Sequence, residues 1–87
     1  MTDLQIRLFL ELSRCLSFSK TAEKFYTTQP TVSRQIKMLE DEWDIRLFDR
    51  NKRKVKLTKG GKILADFFTN SDHTFEMILR KARKCNK

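Results

Sequence analysis

Val32, Ile36, Leu39 and Trp43 recur at spacings of four, three and four, and this stripe constrains the chain more than any other feature. On an α-helix such positions line one face. The stripe predicts a helix that restarts after Tyr26-Thr27-Thr28-Gln29-Pro30 and stops at Asp44. Thr28 suits its N-cap, and Pro30 suits its first turn, where the missing N–H has no partner to lose. The opposite side carries Thr31, Ser33, Arg34, Lys37 and Asp41. One face therefore serves a core, and the other is open to a partner.

The flanking segments supply that core. Leu8, Leu12 and Leu16 are four apart, as are Ile6 and Leu10, which predicts a first helix capped by Thr2 or Asp3. Leu16-Ser17-Phe18-Ser19 reads as a break, with Ser19 as a new N-cap and a short helix from Lys20 to Phe25. After Asp44, Ile45 to Arg50 and Val55 to Thr58 read as two short strands joined by Asn51-Lys52-Arg53-Lys54, with Leu47, Val55 and Leu57 available to the core. Thr58 then suits the N-cap of a last helix over residues 59 to 84. Leu64, Phe68, Ser71, Phe75, Ile78, Ala82 and Cys85 form a heptad seam along it. Such a helix would be about 40 Å long, more than a small body can cover, so a second copy is the expected partner. The expected class is mainly α: a winged helix-turn-helix of three helices and a two-stranded hairpin over residues 1–58, then a long dimerisation helix over 59–87.

Charge narrows the function. Of 19 Lys+Arg and 11 Asp+Glu, residues 1–44 hold six and seven, residues 45–62 eight and one, and residues 63–87 five and three. The excess thus sits on the hairpin and its flanks, where Arg50, Lys52, Arg53, Lys54 and Lys56 can meet phosphates or a minor groove. Eighty-seven residues leave little room for the cleft most enzymes need. No paired carboxylates, nucleophile–base set or phosphate-cradling glycine loop is present in the sequence, so an enzyme is not expected. Neither a cofactor nor a metal is expected, because no Cys/His spacing suits zinc. His73 reads as a surface or interface residue. With no long apolar run, no signal-peptide pattern and two distant cysteines, Cys15 and Cys85, the expected setting is the reducing cytoplasm, away from membranes.

The second and third helices form a helix-turn-helix, whose second helix enters the major groove by its N-terminal end. The residues there suit that role. Gln29 can bond an adenine edge and Arg34 a guanine; Ser33 can reach base or phosphate; Pro30 offers an apolar face to a thymine methyl. Thr28 can cap or contact phosphate, and Lys37 can meet a phosphate or simply solvent.

Residues 17 to 61 also carry a family pattern. Phe18-Ser19-Lys20-Thr21-Ala22-Glu23-Lys24-Phe25, then Thr28-Gln29-Pro30-Thr31-Val32-Ser33-Arg34-Gln35-Ile36 and Leu39-Glu40, resemble the N-terminal DNA-binding domain of LysR-type transcriptional regulators. So do Arg46-Leu47-Phe48-Asp49-Arg50 and Lys56-Leu57-Thr58-Lys59-Gly60-Gly61. The resemblance implies groove contacts at Gln29, Pro30, Ser33 and Arg34, a wing contact at Arg53, and dimerisation through the last helix. It also implies an effector-binding domain and tetramers in longer members. Three positions depart from the pattern: Leu16 where glycine is usual, Thr21 where alanine is usual, and Trp43-Asp44 where Leu-Gly is usual. Asp44 would then make the left-handed stop, and Thr21 becomes a candidate phosphate contact. The expected partner is double-stranded DNA with a pseudo-palindromic operator, bound by a homodimer. The competing class is a protein-interaction module with a merely solubilising wing.

Overall fold

The computed structural model describes residues 1–51, 54–70 and 75–86. The order is α1 (Asp3–Cys15), α2 (Phe18–Lys24), α3 (Gln29–Trp43), β1 (Phe48–Asn51), β2 (Lys54–Leu57), α4 (Lys59–Asn70) and α5 (Phe75–Cys85). This is the winged helix-turn-helix class that the sequence predicts.

Each element starts for a local reason. Thr2 caps α1 in a reciprocal box: its hydroxyl accepts from Gln5 N, and the Gln5 side-chain oxygen accepts from Thr2 N, both at 3.1 Å. Gln5 Nε2 then donates to Gln35 Oε1 at 2.9 Å, tying α1 to α3. Ser17, not Ser19, caps α2, because its hydroxyl accepts from Lys20 N at 3.1 Å; the helix accordingly begins two residues earlier than expected. Thr28 holds the N-cap position of α3, but its hydroxyl pairs with Thr31 Oγ1 at 2.8 Å and makes no cap bond. Asp44 ends α3 in the left-handed conformation, as expected of a short polar side chain.

The stripe of α3 is buried as its spacing predicts. Val32, Ile36, Leu39 and Trp43 pack with Leu8, Phe9 and Leu12 of α1, with Leu47 and Phe48, and with Leu64 of α4. β1 and β2 pair antiparallel, Phe48 opposite Leu57 and Asn51 opposite Lys54. Glu40 anchors the base of this hairpin. Its carboxylate accepts from Leu47 N at 2.7 Å and Phe48 N at 3.2 Å. Thr58 does cap α4, accepting from Gly61 N at 2.9 Å while donating to Arg46 O at 2.6 Å.

The single long helix expected over residues 59 to 84 is not formed. In a continuous helix residues 60 and 82 would lie about 33 Å apart. Instead α5 packs back along α4, and a Cβ on Gly60 would lie 2.8 Å from Ala82 O. Gly60 N donates to Asn86 Oδ1 at 2.7 Å, and Arg83 Nε donates to Trp43 O at 2.9 Å. The physical reason is that the seam finds a partner in its own chain. Phe68 stacks on Trp43 at 5.8 Å between ring centroids, and Phe75 packs on it at 5.1 Å. Leu64 and Ala82, expected at a dimer interface, are wholly buried within one chain. Glycine at 60 is what permits the close approach, since a Cβ would also meet Ile45 Cδ1 at 2.6 Å.

Candidate nucleic-acid interface

The exposed face of α3 carries the predicted readers. Gln29, Pro30, Arg34 and Lys37 are exposed, and Thr31 and Ser33 half-buried. They stand opposite the buried stripe, so anchoring one face in the core fixes the direction of the other. Lys37 lies 3.8 Å from Asp41 Oδ1, one helical turn on. The Arg34 guanidinium makes no hydrogen bond or ion pair among the described residues, which leaves its fork of donors available.

Two neighbours hold the predicted readers in place. Gln29 Nε2 donates to Ser19 Oγ at 2.7 Å, across from α2. Arg50, from β1, donates to Ser33 Oγ at 2.8 Å and lies over the Phe18 ring at 4.4 Å from its centroid. Phe18, Gln29, Pro30, Ser33, Arg50, Lys54 and Val55 together line one open cleft. α2, α3 and the hairpin therefore converge on a single surface. Sequence reasoning assigned Ser19 to a cap and Phe18 to no role. The signal for both is the Phe18-Ser19 pair, which only the fold brings against Arg50 and Gln29.

The other assignments divide clearly. Lys54 is exposed on β2 and joins the cleft. Lys52 and Arg53, expected at the hairpin tip, lie outside the described residues, as do Ser71 and His73. Thr21 is fully buried, and its hydroxyl donates to Ser17 O at 2.9 Å. It holds the start of α2 and offers nothing to a phosphate. Phe68, Phe75 and Ile78 are half-buried. A separate cleft between α1 and α4 holds none of the readers. At its edge Glu11 accepts from Arg14 and Lys24, at 2.7 and 2.9 Å. These two cations, Arg14 foremost, hold the Glu11 carboxyl below the usual glutamate range. Among the described residues no cluster of His, Cys, Asp or Glu suits a metal, and no helix is long and apolar enough to cross a membrane.

Known proteins share this fold. The sequence model for the bacterial regulatory helix-turn-helix protein, lysR family, matches residues 4–62. The glycine cleavage system transcriptional activator of Escherichia coli (strain K12) is 37% identical over 79 residues, covering 91% of this chain and 25% of the activator. Other curated relatives are likewise spanned only in part, from 16% to 41% of their length. A crystal structure of a LysR-family regulator from Eggerthella lenta superposes with a TM-score of 0.76 at 33% identity, covering 80% of this chain and all of the other. The BenM DNA-binding domain, crystallised with catB site 1 DNA, gives a TM-score of 0.74 at 35% identity, covering 94% of this chain and 92% of that one.

Proposed function

Because the chain belongs to the LysR family of bacterial regulatory helix-turn-helix proteins, and carries its DNA-binding domain, we propose that α3 reads a DNA sequence from the major groove. Gln29, Pro30, Ser33 and Arg34 meet base edges. Thr28, Thr31, Lys37, Arg50 and Lys54 meet the backbone, and Lys52 and Arg53 extend the wing toward a phosphate or minor groove. The observation that carries this reading is Arg34: an exposed guanidinium, without hydrogen bond or ion pair among the described residues, on the polar face of a helix whose other face is locked in the core. The protein then acts in the cytoplasm as a transcription regulator and not as an enzyme.

The proposed assembly is a homodimer through residues 59–87 on a pseudo-palindromic operator, with half-sites about 34 Å apart; longer members would form tetramers. Leu64 and Ala82 are already filled by their own chain. A second copy would therefore meet Phe68, Phe75 and Ile78, which the single chain leaves half-exposed. Residues 1–58 supply the reader, and residues 59–87 the surface toward the second copy.

Selection of duplexes from a random pool tests the whole reading. A two-fold half-site should emerge, and Arg34→Ala should cost about 1–3 kcal/mol and relax one base position. Retention of full affinity and unchanged preference in that variant would remove Arg34 from base readout.

A further inference from the structure

Tyr26 lies between α2 and α3 at φ 54°, a position that glycine or asparagine usually holds after a helix. The backbone closes α2 there: Thr27 N donates to Ala22 O at 2.9 Å and Tyr26 N to Glu23 O at 3.2 Å. A side chain is disfavoured in this conformation, and a bulky ring especially so. Among the described residues, three adopt it without being glycine: Leu16, Tyr26 and Asp44. Asp44 has the short polar side chain that tolerates it. Leu16 is 40% exposed, whereas Tyr26 is 97% exposed. Those two hydrogen bonds hold the conformation, but among the described residues nothing covers the Tyr26 ring. Strain of this kind gathers where a partner is bound.

The place of the residue indicates the partner. Tyr26 stands two residues ahead of Thr28, so its Cα is within about 7.6 Å of the N-cap of α3. A helix that enters a groove by its N-terminal end brings the preceding turn to the groove's edge, where sugars and phosphates run. A phenol fits that edge: its O–H donates to a phosphate oxygen, and its ring covers a deoxyribose.

We propose that Tyr26 is a DNA-backbone contact of this domain, gripping the strand at the rim of the groove that α3 enters. The inference rests on the reading of α3 as the groove helix. The test uses two probes: a duplex selected by the wild-type chain from a random pool, and an unselected duplex of equal length. Tyr26→Gly and Tyr26→Asn remove the ring and accept the backbone conformation, so both should melt no lower than wild type. Both should bind the two duplexes about tenfold more weakly, with site preference intact. Tyr26→Phe should recover part of the loss through its ring. Arg34→Ala, measured alongside, should lose preference. If the Gly and Asn variants bind both duplexes as wild type does while Arg34→Ala loses preference, the ring faces some other partner; the proposal then fails and the groove reading stands. If Arg34→Ala also keeps its preference, the orientation of α3 is wrong, and the role of Tyr26 falls with it.

Discussion

α3 and the C-terminal hairpin of α4 and α5 carry apolar residues in the same four-three rhythm, yet the two stripes are used differently. The stripe of α3 runs the length of one unbroken helix and is buried by elements on every side of it. The stripe of residues 64 to 82 is divided between two helices that close on each other and on Trp43. The rhythm reveals which residues seek cover. It does not reveal whether that cover comes from the same chain or from another.

Trp43 is where the two regions meet, and it gives the sharpest way to break the comparison. Trp43→Ala removes the ring that touches Phe9, Phe68 and Phe75. It should cost about 3–5 kcal/mol in denaturant unfolding, as one transition. Two separate transitions would mean that the hairpin and the body are independent after all. Gly60→Ala should come next, at about 1–3 kcal/mol, because the new methyl strikes Ile45 and the Ala82 carbonyl. It lies far from the readers in the sequence and touches none of them, so a binding-site selection should return the wild-type sequence. Arg34→Ala is the mirror case. Its exposed side chain should leave the melting free energy within about 0.5 kcal/mol of wild type, although DNA discrimination falls. The smallest effect is expected in α1, outside both regions. Glu11 titrates lower in the folded chain than it would unfolded, because Arg14 and Lys24 stabilise its charge. The unfolded chain therefore binds the proton more readily, and stability from this group is present at neutral pH and fades as pH falls through the lowered value. Melting curves of Glu11→Gln should show a flatter acid limb and little change near neutrality; an acid limb as steep as wild type would clear Glu11 of any part in it.

Much of this was legible in the residues. The buried face of α3, the hairpin, the stop at Asp44 and the cap at Thr58 all follow from local rules that need no knowledge of the rest of the chain. What was not legible depends on geometry over distance. Ser17 and Ser19 are both competent caps, and only the path of the chain out of Leu16 decides between them. Glu40 stands in the pattern as part of Leu-Glu, but its role depends on two N–H groups seven and eight residues later. Thr21 was a candidate for phosphate because its partner, the carbonyl of Ser17, is an ordinary backbone atom that leaves no mark in the sequence. The reversal between α4 and α5 is hidden because the seam is continuous in the sequence and discontinuous in space.

If Gln29 and Ser33 read bases as proposed, their pairing with Ser19 and Arg50 bears on how the domain searches. Neither polar side chain has to be stripped of a partner when the domain leaves DNA, because the protein itself offers one. On that reading a wrong sequence would be released without stranding a donor or acceptor, and the domain would move on along the duplex, held by charge alone. On a matching sequence the proposed readers would trade one partner for another. They lose little freedom in doing so, since folding has already confined them. Dwell time then rises only where the bases return what the protein gives up.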